Sequence, residues 1–380
     1  VKVEQGRVLS NHEVVTGRHA YARQWKERTE GKVVGYFCTY VPEELLLAAG
    51  ILPVRVLGGH QPSDVTEPYI TSRYCPHCRD VLAQGLEGKY DYLDGIVYAH
   101  TCVHIGQAFA CWERHIPTEY SYFIYMPASV QSPAALPRLA QEVADFRTSL
   151  EEWMGKPLSP EHLDRAIQTY NTNRRLLWDL YALRRGEPPL LRGSEALEVV
   201  LAGQMMDKEE HNHLLTELLT ALPQRPDPPS PGVRLFTGGG ENDDVDFLRL
   251  AEYLGANVVA DDHCTGSRYF WNQVPQDADP LRALARRYLE RSPCPQKDWV
   301  ERRRLPIVRE LARDYSVEAA ILTQQKFCDP HEYDIPVIKD LLEGMGIPCL
   351  FLEFDVTIPA GQFRTRMEAF LEMLTLDMVR

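Results

Sequence analysis

Long apolar runs are missing from this chain, and so is an excess of positive charge. No window approaches the roughly 18 consecutive apolar residues of a membrane-spanning helix, and Val1–Ala20 is too polar to contain the apolar centre of a secretory signal. The 41 lysine and arginine residues are outnumbered by 54 acidic residues, for a net charge of −13. A field of that sign disfavours non-specific binding of nucleic acid. We expect a cytoplasmic protein that binds neither membranes nor nucleic acid.

The ligand motifs that are easiest to recognise in a sequence are missing as well. There is no Gly-Lys-Ser/Thr loop to hold a nucleotide phosphate, so ATP hydrolysis is not expected on this chain. The run of closely spaced cysteines that ligates clusters in ferredoxins does not occur either. Any iron–sulfur cluster here must therefore gather its cysteines from distant segments.

The composition that is present is typical of a globular protein with more than one domain. Of the 380 residues, 44% are hydrophobic and 25% are charged, and this length suits two or three domains. The chain has nine cysteines. In a reducing compartment these are expected to be free thiols or metal ligands rather than disulfides.

The hydrophobic pattern predicts two α/β units with helices between them. In the first unit, 1–134, strands are expected at Val33–Phe37, Leu52–Leu57 and Gly95–Ala99, with helices beginning at Pro42 and Val103. The strand signal then disappears, and a helical lobe over 135–224 is predicted to contain the helices Leu136–Met154, Pro160–Leu183 and Ser194–Leu222.

The alternation of strands and helices resumes after the proline-rich linker Arg225–Gly232. In this second α/β unit, 232–380, the expected strands are Val233–Thr237, Asn257–Ala260, Ala319–Thr323 and Ile347–Glu353. Gly238-Gly239-Gly240 is predicted to be a tight turn whose amides are also candidates for a phosphate contact.

Four cysteines lie just past predicted strands, where open α/β sheets bind their ligands; they are Cys38, Cys102, Cys264 and Cys328. Cys75 and Cys78 precede a helix. Converging thiols indicate a metal site, although any single buried cysteine can equally be a small hydrophobic residue. We favour that second interpretation for Cys111 and Cys349.

The cysteine spacing alone leaves the identity of the metal open. Cys75-x-x-Cys78 is half of a zinc motif that His77, His100, His104 or Cys111 would complete. A separate stretch, Asp261–Arg268, is dense in reactive residue types at a strand end. There Arg268, with Asp262 beside it, is a candidate partner for a phosphate or carboxylate, and a structural salt bridge is an equal alternative.

At several stretches, in the same order along the chain, the sequence resembles the 2-hydroxyacyl-CoA dehydratase family, which includes the subunits of ATP-dependent benzoyl-CoA reductase. The resemblance runs from about residue 20 to the C-terminus. The matching stretches are Val41-Pro42-Glu43-Glu44-Leu45, Leu52-Pro53-Val54, Cys75 with Arg79, Asp94-Gly95 leading to Cys102, Gly255-Ala256-Asn257-Val258-Val259 with Asp261-Asp262, Lys326-Phe327-Cys328-Asp329-Pro330 and Gly346-Ile347-Pro348.

The resemblance implies a fold and a cofactor. It implies two flavodoxin-like, parallel-sheet α/β domains with the helical lobe between them, and a [4Fe–4S] cluster held by Cys75, Cys102 and Cys328. Cys78 departs from the family pattern and is either a fourth ligand or a bystander. Three cysteines would leave one iron free for water or substrate.

The resemblance also implies partners and an activity. Within the family the chain is most similar to the smaller homologous subunit of benzoyl-CoA reductase. That implies a sister subunit with its own cluster, activator subunits that hydrolyse ATP with Mg²⁺, an upstream ferredoxin, and single-electron reduction of an aromatic acyl-CoA thioester. Tyr40, His77 and His104 are candidate proton donors. A 2-hydroxyacyl-CoA dehydratase (a lyase), a non-catalytic electron-relay subunit and a zinc-stabilised α/β binding protein remain alternatives.

Overall fold

The apolar runs of the sequence form the strands of two sheets in the computed structural model, which describes residues 10–299, 301–357 and 359–378. The outer limits predicted for the domains, residues 1 and 380, lie outside these ranges. The strands are β1 (Lys32–Tyr36), β2 (Ile51–Arg55), β3 (Gly95–Ala99), β4 (Tyr120–Ile124), β5 (Val233–Gly239), β6 (Ala256–Asp262), β7 (Ala319–Gln325) and β8 (Cys349–Phe354).

Both sheets have the same topology. Their strand orders are β2-β1-β3-β4 and β6-β5-β7-β8, and every neighbouring pair is parallel. In each sheet the first strand along the chain lies inside, so the connections leave it in opposite directions and open a crevice at the carboxyl ends of the strands. The prediction of two flavodoxin-like parallel sheets is confirmed.

Helices fill the connections and the stretch between the sheets. They are α1 (Asn11–Thr16), α2 (Arg18–Thr29), α3 (Glu43–Ala48), α4 (Pro76–Leu86), α5 (Val103–His115), α6 (Ala135–Met154), α7 (Pro160–Ala182), α8 (Gly193–Gly203), α9 (Lys208–Ala221), α10 (Val245–Tyr253), α11 (Ser267–Phe270), α12 (Pro280–Glu290), α13 (Arg304–Asp314), α14 (Asp329–Glu343) and α15 (Ala360–Met378). Among the described residues, no helix combines the length and the apolar character needed to cross a membrane.

The prediction of a single helix over Ser194–Leu222 is wrong, because the helix is interrupted between α8 and α9. Asp207 caps the second helix, accepting hydrogen bonds from the backbone N–H groups of Glu209 and Glu210. The helical spacing of apolar residues continues through the interruption, so the sequence pattern does not reveal it. The carboxylate of Asp207 caps the N-terminus of a new helix.

The predicted tight turn at Gly238-Gly239-Gly240 is also wrong in part, since β5 continues to Gly239. The backbone of Gly239 has a φ of +126°, and a Cβ built on it would lie 1.9 Å from the carbonyl oxygen of Thr323 on β7. Only glycine fits this approach of two strands, which gives the residue a structural reason to be there.

The two halves of the chain share a core, in which α12 packs against α6. Ala283 and Leu284 of α12 lie in the same buried cluster as Leu139 and Val143 of α6 and Val34 of β1. A helix that follows β6 of the second sheet therefore covers the first sheet. The domain limits at 134/135 and 224/232 stay a prediction.

Candidate functional site at the carboxyl ends of the sheets

Cys75, Cys102 and Cys328 occupy equivalent local positions, each being the residue immediately before a helix. They cap α4, α5 and α14 respectively. The free N–H groups and the dipole of a helix N-terminus stabilise negative charge, which is the environment that favours a thiolate. Three helix N-termini thus present a thiol each at the crevice.

The three thiols are neighbours, and burial keeps them protonated. Burial raises the pKa of Cys75, and the charges of Cys78 and Cys102 raise it further. Burial likewise raises the pKa of Cys102 to about 12. It also raises the pKa of Cys328, to which Cys75 and Cys102 add. Ionising all three requires a cationic partner, and metal binding supplies one.

The donor set suits a cluster better than a single ion. Within the described ranges, no three His, Cys, Asp or Glu side chains converge closely enough to hold one metal ion, so the zinc arrangement around Cys75 and Cys78 is not formed. A [4Fe–4S] cluster is larger than a single ion, so its thiolate ligands lie farther apart. Such clusters are held by cysteine thiolates. Three mutually interacting thiols from three different elements are the type of ligand that such a cluster uses.

Cys78 is engaged elsewhere. Its side chain is fully buried, and its Sγ donates a hydrogen bond to the carbonyl oxygen of His104 at 2.9 Å. The amide N–H of Cys75 in turn donates to Nδ1 of His104 at 3.1 Å. Cys78 and His104 therefore tie α4 to the start of α5 and hold the Cys75 loop in place.

A second group of thiols lines the same crevice. Cys38 accepts a hydrogen bond from Oγ1 of Thr101 at 3.3 Å. Sγ of Cys264 lies 3.9 Å from Nη2 of Arg55. Cys294, which was not predicted to be a site residue, interacts electrostatically with Cys102 and Cys328. Its Cys294-Pro295 pair repeats the Cys75-Pro76 pattern of a cysteine before a helical turn, a signal that could have identified it.

The remaining two thiols, Cys111 and Cys349, have other surroundings. Cys111 is buried within α5 and accepts a hydrogen bond from Nε2 of Gln107 at 3.7 Å. Cys349 begins the edge strand β8, where its Sγ is 3.5 Å from the carbonyl oxygen of Ile347.

All three predicted proton donors, Tyr40, His77 and His104, have burial-shifted pKa values. The Tyr40 hydroxyl accepts the N–H of Cys294 at 3.0 Å. Burial raises its pKa to about 12, against the opposing charge of Arg291. Burial lowers the pKa of His77 to about 3, so its ring is neutral near pH 7, and its Nδ1 lies 3.2 Å from a carboxyl oxygen of Glu241. His104, whose pKa burial also lowers, is the acceptor for Cys75 described above.

The predicted substrate-binding residues meet one another. Nη2 of Arg268 donates to the carbonyl oxygen of Gly239 at 3.0 Å, and its Nε lies 3.4 Å from Oδ1 of Asp262. Asp262 is also paired with Arg304. The salt-bridge alternative is therefore formed, and a role of Arg268, Gly239 and Asp262 in binding substrate stays a prediction.

Three charged residues at the crevice, Arg55, Glu241 and Lys297, were not predicted from the sequence. Arg55 ends β2, and within the part of the chain that the structure describes its buried Nε and Nη1 have no hydrogen-bond partner. Burial raises the pKa of Glu241 well above its usual range, and the charges of Asp243 and Cys264 add to the effect. An arginine within the apolar run 51–57 is itself an unusual feature of a buried strand, and that signal could have identified Arg55.

Comparison with known proteins gives a consistent result. The family model described as 2-hydroxyglutaryl-CoA dehydratase, D-component, matches residues 38–374. The chain is 28% identical to the (R)-phenyllactyl-CoA dehydratase beta subunit of Clostridium sporogenes, over 95% of this chain and 97% of that protein. It is 27% identical to a benzoyl-CoA reductase subunit of Thauera aromatica, over 90% of each. It is 28% identical to the (R)-2-hydroxyglutaryl-CoA dehydratase subunit beta of Acidaminococcus fermentans, over 92% and 94%.

Proposed function

The chain belongs to the 2-hydroxyacyl-CoA dehydratase family, and from that premise we propose that it is the iron–sulfur subunit of an ATP-dependent benzoyl-CoA reductase. Its proposed role is to pass single electrons from an activator to an aromatic acyl-CoA thioester, reducing the ring to a cyclic diene. The observation that supports this proposal is the convergence of Cys75, Cys102 and Cys328 at three helix N-termini.

Cys75, Cys102 and Cys328 are the residues that would hold a [4Fe–4S] cluster. When bound, such a cluster would supply single electrons at potentials that can reach about −700 mV. The chain's own contribution begins with the thiolates. The backbone N–H groups of Cys78, Ile105 and His331 stabilise them by hydrogen bonding, in opposition to the effect of burial.

The surrounding residues exclude water and hold protons. Cys75 is 5% exposed, so the site beside it has a low dielectric in which charge interactions are strong. Burial raises the pKa values of Glu241 and Tyr40, which favours the protonated form of each beside this crevice. Each of them is a group that can retain a proton there until charge develops nearby.

The proposed partners follow from what this chain does not contain. The sequence has no Gly-Lys-Ser/Thr loop, so we assign ATP and Mg²⁺ to separate activator subunits that a ferredoxin reduces. The proposal also includes a homologous sister subunit with its own cluster. The relatives described above are themselves named as subunits, which supports an assembly of several chains.

A lyase is the second candidate function, because dehydratase subunits match this chain as well as the reductase subunit does. In that case the electron serves to remove water from a 2-hydroxyacyl-CoA and is then recovered. Assaying the assembled complex under anaerobic conditions distinguishes the two. Ring reduction of benzoyl-CoA supports the reductase, whereas dehydration of (R)-phenyllactyl-CoA without net electron consumption supports the lyase.

The cluster assignment has its own test. Iron and acid-labile sulfide are counted after anaerobic reconstitution of Cys→Ser variants. Substitution of Cys75, Cys102 or Cys328 is expected to remove most of the cluster, since each loses a ligand. Cys111→Ser and Cys349→Ser are the matched controls and are expected to keep it. Equal loss in all five variants, or zinc without iron in the wild type, would overturn the assignment.

A further inference from the structure

The buried cations of this protein fall into two classes. Ten lysine and arginine residues are buried within the described ranges, and eight of them donate a hydrogen bond to an oxygen atom. These eight are Arg174, Arg184, Lys208, Arg234, Arg268, Arg287, Arg291 and Arg304. The two that remain, Arg55 and Lys297, have no oxygen acceptor among the described residues.

Arg55 lies at the carboxyl end of β2, paired in register with Tyr36. Its guanidinium is 5.7 Å from the Tyr36 ring, and Nη2 donates a long, 3.9 Å hydrogen bond to Sγ of Cys264. Nε and Nη1 are buried and have no hydrogen-bond partner among the described residues. Charged donors of this kind are costly to bury unless something accepts from them.

Lys297 approaches the crevice from another direction. It ends the 3₁₀ helix Pro295–Lys297, which begins after Cys294 and packs against α14. Its side chain is 2% exposed. The ionisable groups near its ammonium include the thiols of Cys294, Cys38 and Cys102 and the imidazole of His100, and no carboxylate among the described residues pairs with it.

The groups around these two cations do not supply the missing negative charge. Neither Arg55 nor Lys297 forms an ion pair with a carboxylate of the described residues, whereas the buried Arg268 and Arg304 both pair with Asp262. A buried ion without a counter-charge is strongly destabilising. The counter-charge must therefore arrive with a bound anion.

We propose that Arg55 and Lys297 are the counter-charges of the bound iron–sulfur cluster and hold its reduction potential above the value that the thiolates alone would give. This inference rests on the proposed function. A thiolate-ligated cluster is an anion, and its reduced form carries one further negative charge, so nearby cations stabilise the reduced form more than the oxidised form. Both residues would act on the reaction only through their effect on the potential of the cluster.

The test is a potentiometric titration of the reconstituted full-length chain, followed by electron paramagnetic resonance. Arg55→Met and Lys297→Met remove a charge and keep the apolar stem, and the midpoint potential is expected to fall in both variants. Lys297→Arg keeps the charge and is expected to keep the potential near the wild-type value. Lys339→Met is the matched control, because Lys339 is an exposed lysine paired with Glu343 on α14.

Stability of the cluster-free protein gives an independent readout. Removing an uncompensated buried cation should leave the thermal midpoint of the cluster-free chain unchanged or raise it, whereas the rate of cluster loss from the loaded chain should increase. A cation with a purely structural role would instead lower the thermal midpoint when it is removed, which would contradict the inference.

The outcomes separate this inference from the proposed function. If the wild type takes up no iron and sulfide, the proposed function fails and this inference fails with it. If the wild type and both Met variants carry clusters of equal potential, the inference is overturned and the proposed function stands. The Met variants could also fold without taking up a cluster. In that case, cluster uptake by Lys297→Arg supports a requirement for positive charge at this position, and its failure to take up a cluster contradicts that requirement.

Discussion

The Cys78 thiol hydrogen-bonds to the carbonyl oxygen of His104, 2.9 Å away, in a side chain with no exposed surface. At the residue scale, this contact distinguishes the surroundings of Cys78 from those of Cys75. Cys75 and Cys78 have equal standing in a Cys-x-x-Cys pattern, but the helix that starts at Pro76 gives them different positions. Cys75 caps the helix and meets the other thiols of the crevice, whereas Cys78 lies within the first turn and packs against α5.

Cys78→Ala is therefore expected to keep the cluster and to lose stability. The variant removes one buried hydrogen bond and leaves a small cavity, which together cost about 1–2 kcal/mol in the free energy of unfolding. Denaturant unfolding and iron counting on the same preparation measure both effects. Iron loss as large as that of Cys75→Ser would show that Cys78 is a ligand after all.

At the scale of elements, His60 joins the segment after β2 to the segment before α10. Its Nε2 lies 2.7 Å from Oδ1 of Asp243. The charge of Asp243 raises the pKa of His60 to about 10, despite burial. Burial pushes the pKa of Asp243 up, but the charge and hydrogen bond of His60 outweigh it and hold the pKa at about 2. The pair connects the two sheets beside the crevice.

The contribution of this pair to stability depends on pH. The raised pKa of His60 stabilises the fold fully below the pKa of an unfolded histidine, about 6.5, and the effect is lost as the pH rises through about 10. The lowered pKa of Asp243 contributes above the unfolded value of about 3.9, and that effect is lost as the pH falls through about 2. The pair therefore stabilises most between about pH 4 and 6.5.

His60→Gln is expected to lower the thermal midpoint more at pH 6 than at about pH 10.5, since the ion pair exists only at the lower of these values. Thermal unfolding at the two pH values measures the difference. His213→Gln is the control, because that histidine pairs with Glu217 on the exposed surface of α9. An equal loss at both pH values for His60→Gln would contradict the assignment.

At the scale of the whole molecule, a buried polar network unites segments that are far apart in the chain. Glu44 of α3 is paired with Arg174 of α7, and its other oxygen accepts a hydrogen bond from the hydroxyl of Tyr288 of α12 at 2.8 Å. Both charged side chains are nearly or fully buried. Because the network joins the first sheet, the central helices and the second half, breaking it should affect the entire fold.

Arg174→Met is expected to lower the free energy of unfolding by about 3–5 kcal/mol, because it leaves the carboxylate of Glu44 buried and unpaired. Unfolding should remain one cooperative transition. Urea unfolding followed by fluorescence and by circular dichroism measures both properties. Arg175→Met is the matched control, since Arg175 is half exposed and pairs with Asp179 along the same helix. Separate transitions for the two probes would contradict a shared core.

Much of the architecture can be predicted, because its signals are local. The strand Gly95–Ala99 and the helix start at Val103 are predicted at their observed positions, since an apolar run and its polar flanks lie within a few residues. The strand β4 and the helix α12 were missed. β4 lies at the edge of its sheet, and only its end residues Tyr120 and Ile124 are buried. The strand β4 packs against α6, and a local sequence pattern does not show which helix will cover a strand.

The amino-acid order alone settles the alternation of strands and helices and places cysteines at strand ends and before helices, because these depend on neighbours along the chain. It does not settle which thiols meet. Cys75, Cys102 and Cys328 come together only because α4, α5 and α14 all begin at the same crevice. Only the tertiary structure shows that Nε and Nη1 of Arg55 have no hydrogen-bond partner among the described residues. That outcome depends on which oxygen atoms lie within reach once the chain has packed.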